Sequence, residues 1–292
     1  MAVAMGLSGT IGLFVVMSGQ TTQTVVFFRC LIGGLALLGW LSWQGAWRPL
    51  SGRAIGWLLL GAVALISNWL CLFSAYRLSS ISIATVIYHV QPFFLIVLAA
   101  LAQKELPTWD KLSWLLLAFI GVVMISEINF GAARSVMLGG ALLALIAAFL
   151  YAVATVATKK LVGVPPAQIA GLQLLLGVPV LAPVVDVSSV GAAWQSWSSL
   201  LILGLVHTGL MYNLLYAAFQ RLPAGMIASL SFIYPIVAIL VDIAFFHTVL
   251  SAIQMLGILL VLVAVVGNQR EWDLSSPHIP TFFRFWSSKG RK

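Results

Sequence analysis

Tyr88-His89-Val90-Gln91-Pro92 sets polar side chains and a proline in the middle of a long apolar run, and Ser231-Phe232-Ile233-Tyr234-Pro235 does the same 143 positions later. Two other pairs keep nearly the same spacing: Arg29-Cys30-Leu31-Ile32-Gly33 with Gln173-Leu174-Leu175-Leu176-Gly177, and the stretch opening Asn68-Trp69 with the one opening Asn213-Leu214. A spacing held at three places marks an internal repeat. It divides the 292 residues into two units of similar length and plan.

Neither unit has the composition of a water-soluble domain. Hydrophobic residues make up 62% of the chain and charged residues only 8%, against about 25% charged in a soluble domain, whose surface must be wetted. Most of the exterior is therefore expected to face lipid. One crossing takes about 20 apolar residues for a hydrocarbon core about 30 Å thick. Ten stretches qualify, at approximately 2–18, 22–43, 54–76, 80–101, 110–127, 136–158, 167–186, 197–220, 223–246 and 250–268. All are expected to be helices, because in lipid a segment must satisfy its own backbone polar groups. Residues 1–17 carry no basic n-region, so the first stretch reads as a retained span and not as a cleaved signal. Cys30 and Cys71 lie within apolar runs and read as packing residues.

Five spans per unit is an odd number, so a second unit that follows directly must enter the bilayer upside down. The charges agree. The link between spans 2 and 3 carries Arg48 and Arg53, and its counterpart between spans 7 and 8 carries no cation. The link between spans 1 and 2 carries none, and its counterpart between spans 6 and 7 carries Lys159 and Lys160. With the amino terminus inside, twelve of the fifteen Lys and Arg fall in cytoplasmic links and the tail, Arg77 and Arg134 fall outside, and Arg29 lies within a span. Basic residues stay on the cytoplasmic side, so both termini are expected there, in a chain of the cell (inner) membrane. The expected fold is all-α and integral to the membrane: ten transmembrane helices as two inverted five-helix repeats, 1–134 and 135–268. The tail, 269–292, mixes aromatic rings with cations in a way that suits the headgroup layer.

These residues carry a resemblance to a known family. Phe28-Arg29 in span 2, Gln91-Pro92 in span 4 with Glu105 after it, and Tyr234-Pro235 in span 9 make the chain similar to the paired EamA domains of the drug/metabolite transporter (DMT) superfamily, over about residues 1–268. Within it the chain most resembles the YddG-type exporters of aromatic and other amino acids. The resemblance implies a ten-helix secondary transporter that works by alternating access. The chain departs from the pattern after span 9, where His247-Thr248 stands in place of an acidic residue, so a paired role for that acid has no second member.

Inverted repeats place a solute site near the bilayer midplane, where the two units meet. The polar residues set in the middle of spans are the candidate substrate-binding residues: Asn68, Tyr88, His89, Gln91, Tyr151, Tyr212, Asn213, Ser231 and Tyr234. Tyr and Asn bind a zwitterion without keeping a permanent charge buried. Any one of them serves equally as a bond between helices, for about 1 kcal/mol. His89 and His207 can donate, accept or titrate, or simply pack. Pro92 and Pro235 each remove a backbone hydrogen bond inside a span; they are candidate hinges, with a static kink as the plainer reading. Arg29 and Asp242 are the ionisable residues set deepest in spans, where charge is costly and a functional role is the default reading. Arg29 suits a substrate carboxylate or the lock of an external gate, and Asp242 suits uptake of a proton or a structural hydrogen bond.

The expected function is export of amino acids, aromatic and other, and of related small metabolites. The expected partners are a small-molecule substrate and the lipid bilayer, with the chain functional as a monomer and with no nucleic acid, cofactor, metal or catalysis. Basic residues punctuate spans and form no groove-sized cluster, and HExxH, paired CxxC and GxxxxGK[ST] motifs are missing. Gly6-Leu7-Ser8-Gly9 matches the GxSG of rhomboid proteases, a pattern that arises cheaply in a chain with 25 glycines. A channel or pore, an exporter of other small organic compounds or drugs and, more remotely, an intramembrane enzyme are the alternatives. Single-cysteine labelling checks the inverted plan: residues 48–53 are expected to react from the cytoplasm and residues 186–195 from outside, and reaction of both from one face breaks the symmetry.

Overall fold

The computed structural model describes residues 1–78, 84, 87–103, 108–125, 134–185, 187–191, 193–246, 251–270 and 272. The side chains of Arg77, Arg134 and Asp242 lie outside the described set, as do Glu105, His247-Thr248 and, apart from Trp272, residues 271–292. The helices are α1 (Ala2–Ser18), α2 (Thr22–Trp43), α3 (Gly52–Leu78), α4 (Gln91–Gln103), α5 (Trp109–Ile125), α6 (Arg134–Lys159), α7 (Pro166–Leu181), α8 (Trp194–Gly204), α9 (Met211–Arg221), α10 (Ala224–Ser231), α11 (Ile233–Phe246) and α12 (Ala252–Gln269). A π-helical turn, Leu205–Leu210, joins α8 to α9 without a break. No strand occurs among the described residues.

Among the described residues, six stretches are long and apolar enough to cross a membrane: Thr22–Trp43, Gly52–Leu72, Leu138–Lys159, Pro166–Val184, Trp194–Arg221 and Ala224–Phe245. Ala2–Ser18, Gln91–Ala102 and Ala252–Asn268 are shorter apolar helices. Apolar side chains also cover the outside, with Val63 63% and Leu142 59% exposed. Water does not tolerate such a surface, and lipid does. This is a multi-pass membrane protein.

Local chemistry sets the helix ends. Thr21 Oγ1 accepts from Thr24 N at the start of α2, and Ser251 and Gln254 form a reciprocal capping box at the start of α12. Pro165 and Pro223 stand just ahead of α7 and α10, where a missing N–H costs nothing. Gly19, at φ 64°, closes α1 in the left-handed conformation that glycine adopts without strain.

The helices pack in pairs: α3 along α6, α5 along α12, α2 along α7, and α1 along α8 and α11. A large core gathers side chains of α1, α2, α3, α6, α7, α8 and α9, with Leu95 of α4 and Ile227 of α10. A smaller one holds Ile96 of α4 with α5, α10, α11 and α12. At the crossing of α5 on α12 a Cβ on either Gly121 or Gly257 would stand 2.7 Å from the other's carbonyl oxygen. Small residues let backbones meet this closely in a membrane, where van der Waals packing drives helix association.

Among the described residues, spans 4 and 9 are each interrupted by a turn just ahead of the proline. The chain turns at His89-Val90 before α4 and at Phe232 between α10 and α11, with Val90 N donating to Ile87 O and Phe232 N to Ser229 O. Pro92 and Pro235 are the second and third residues of the helices that follow. A proline clashes with the turn before it and restricts its predecessor. The helix therefore stops first, and the ring occupies a first turn that needs no N–H.

Gly121→Leu drives a side chain into the Gly257 backbone, which has no soft atom to yield. It is expected to cost about 1–3 kcal/mol as overpacking does, read as a lower midpoint of thermal unfolding in detergent. Gly56→Ala, whose added Cβ meets nothing within 4 Å and whose helix propensity is better than glycine's, is expected not to lower the midpoint.

Candidate functional site

Among the described residues, two polar clusters inside the bundle bear on the candidate site. The first forms where α3 and α6 meet the break in span 4. Asn68, fully buried on α3, donates through Nδ2 to the Ala147 carbonyl at 2.6 Å and to the Tyr88 hydroxyl at 3.2 Å. Those bonds fix which amide atom is the nitrogen and leave Oδ1 buried with no hydrogen-bond partner. A buried acceptor left open is rare. Tyr88 meets Tyr151 edge to face at 6.0 Å, and Tyr151 meets Phe219 in the same way at 6.2 Å. On the far side of the break His89 stacks on Tyr234 at 5.6 Å and lies 6.2 Å from Phe232, so the two interrupted spans touch at their interruptions. Phe232 belongs to the smaller core, while Tyr151 and Tyr234 pack against the larger one. The cluster therefore sits on the seam between them.

Aromatic contacts continue from Phe219 to Tyr216 at 5.8 Å, on to Tyr212 at 5.6 Å and to Trp69 at 5.9 Å. Trp69 opens on the second cluster, with the Arg29 guanidinium 5.3 Å from its ring centre. Arg29 on α2 donates from Nε to the Thr208 hydroxyl at 3.0 Å and from Nη2 to the His207 carbonyl at 3.4 Å. The π-turn makes these acceptors available. Thr208 Oγ1 donates in turn to Leu203 O at 2.8 Å, and His207 Nδ1 lies 3.4 Å from Ile202 O. His207 Nε2 is 2.7 Å from Thr10 Oγ1 on α1. Gly33 permits this contact, because a Cβ there would stand 2.5 Å from the Thr208 methyl.

The candidates thus fall into three groups. Asn68, Tyr88, His89, Tyr151 and Tyr234 are gathered in the first cluster, and Tyr212 stands on the aromatic path to Arg29. Gln91 is buried in the first turn of α4, and Ser231 donates to its own helix at Ile227 O, a local bond. Asn213 is half-buried, and among the described residues no hydrogen bond joins it to either cluster. Asp242 lies on α11 with its side chain outside the described set. Ser8 of the GxSG stretch donates to Ala4 O and lies 3.1 Å from Met211 Sδ, neither of which is a base. Sequence reading missed Thr208, Trp69 and Tyr216 as site residues. The only signal was a His-Thr pair between Gly204 and Gly209 in an apolar span.

The sequence model of the EamA-like transporter family matches twice, over residues 1–127 and 138–268. The chain belongs to the EamA-like transporter family. As a member it is a membrane transporter of small compounds. A protein of Bacillus subtilis (strain 168), described as the uncharacterized transporter YxxF, is 29% identical over 265 residues, covering 89% of this chain and 85% of its own. A solved structure described only as "Crystal structure of protein" superposes with a TM-score of 0.81 at 17% identity, over 92% of this EamA-family chain and 96% of its own. At that identity the likeness speaks for the fold alone.

Tyr216 donates to Gln173 Oε1 at 2.5 Å, with both side chains buried. Tyr216→Phe leaves that oxygen unpaired and is expected to lower stability by about 1–3 kcal/mol. Tyr88→Phe leaves Asn68 Nδ2 its Ala147 partner and is expected to cost about 0.6 kcal/mol. Thermal unfolding in detergent checks the order of the two.

Proposed function

We propose that this EamA-family chain is a secondary transporter of the cell inner membrane that exports amino acids, aromatic ones among them as in the YddG-type exporters, and related small metabolites by alternating access. It crosses the bilayer ten times as two inverted five-helix repeats, 1–134 and 135–268, with both termini cytoplasmic, and works as a monomer. The observation that carries the reading is the first cluster. Two interrupted spans meet through His89 and Tyr234 beside Asn68, Tyr88 and Tyr151, and a buried acceptor stands open among aromatic rings. An open carbonyl oxygen takes an ammonium or amide N–H, and aromatic faces accept both cations and rings.

The packing supports the repeat. Exchanging the first five spans for the last five maps α2 on α7 and α5 on α12 onto themselves, α3 on α6 onto α1 with α8 and α9, and α4 on α6 onto α1 with α11. The breaks at His89-Val90 and Phe232 correspond under the same exchange. In this reading they are the hinges, Pro92 and Pro235 preset the helices that swing from them, and Asp242 is the candidate proton carrier.

Proteoliposomes loaded with labelled tryptophan, phenylalanine, threonine and methionine are expected to release them faster than protein-free vesicles, with saturation, which a pore lacks. His89→Ala and Tyr88→Ala are expected to lower flux at least about five-fold, as a loss of about 1 kcal/mol in binding would, with expression unchanged. Indifference to all four amino acids removes the assignment. Rates that ignore an imposed pH gradient remove Asp242 as proton carrier.

A further inference from the structure

Arg29 is 5% exposed, and its partners among the described residues are neutral: the Thr208 hydroxyl, the His207 carbonyl and the face of Trp69. Asp110 is the one acidic residue whose side chain is described, and it does not pair with Arg29. A guanidinium taken out of water is costly unless an opposite charge meets it. Neutral hydrogen bonds offset only part of that cost and leave a positive potential in surroundings of low dielectric. A recess lies on the other side of Trp69. Thr22, Gln23 and Val26 of α2, Trp69 and Ser74 of α3 and Leu181 of α7 stand in its wall. Val26 precedes Arg29 by three residues on one helix face. Trp69 forms part of the wall and also carries the guanidinium.

We infer that Arg29 is the receptor for the carboxylate of an anionic or zwitterionic solute that enters by this recess, and that the carboxylate draws the guanidinium away from the π-turn. A bidentate guanidinium–carboxylate pair is stronger than the neutral bonds that hold Arg29 in place, and Trp69 is the side chain that turns aside. Once Arg29 is engaged, α2 loses its hydrogen bonds to the π-turn, while Thr208 keeps Leu203 O. Solute and latch compete for one side chain, so occupancy biases the separation of α2 from α8 and α9. The inference deepens the proposed transport function and rests on it for the movement that follows, whereas the preference for a carboxylate is a property of the site alone.

The full chain in nanodiscs is titrated with labelled 3-phenylpropanoate and labelled phenylalanine, with the corresponding carboxamides as competitors. The wild type is expected to prefer each acid to its amide by about ten-fold or more. Arg29→Gln is expected to abolish the preference and Arg29→Lys to keep part of it. Thr208→Val removes an acceptor that competes for Arg29 and keeps the charge, so it is expected to raise affinity for both acids. It also decides the matter if Arg29→Gln does not fold. Equal binding of acid and amide by the wild type, no binding of either acid, a preference that survives Arg29→Gln, or acid affinity that falls or stays the same in Thr208→Val overturns the proposal. Because 3-phenylpropanoate has no ammonium group, its binding through Arg29 can hold even where proteoliposomes move no amino acid, which separates the two failures.

Discussion

Lipid offers the backbone no hydrogen-bond partner, and the arrangement of this protein follows from that. A helix that runs unbroken meets the demand by itself, and every interruption must find partners in the protein. The π-turn at Leu205–Leu210 finds them in side chains: Thr208 takes Leu203 O, and Arg29 takes His207 O. The breaks at Val90 and Phe232 find them in tightened i→i−3 turns. Polar side chains and irregular backbone thus occur together for one reason. The interruptions need the side chains, and they free the groups that a solute can reach.

Against these interruptions stand contacts that leave no room to move. Gly121 and Gly257 bring α5 and α12 into backbone contact, and Gly33 seats α2 against Thr208. Gln168 adds a two-way bond to Arg48 N and O, tying the start of α7 to the link after α2. Lys159 donates to the Phe219 and Leu222 carbonyls at the end of α9. These fasten whole helices to one another.

Arg29 and Gln173 occupy the same slot by the spacing of the repeat, and they are held differently. Gln173 donates to Leu58 O and accepts from Tyr216, so both ends of its amide are used within the protein. Arg29 has neutral partners for a full charge. A buried amide satisfied within the protein and a buried cation whose partners among the described residues are all neutral differ in a way that packing alone does not ask for.

The sequence by itself determined that the chain lives in lipid as a multi-pass helical protein, because composition and the length of apolar runs answer to the bilayer and to no distant residue. Expected stretches 2–18 and 22–43 coincide with α1 and α2. It also marked Tyr88, His89, Tyr151 and Tyr234, since a polar group inside an apolar span is conspicuous wherever it packs. Tertiary structure decided the rest. That Asn68 Oδ1 is left open depends on Ala147 and Tyr88 approaching from other segments. That Arg29 is held by a π-turn depends on one extra residue in a helical turn, which has no periodic signature in the sequence. That Pro92 and Pro235 begin helices and do not bend them depends on where the preceding turn closes, a matter of a few bonds whose balance is set by the neighbouring helices.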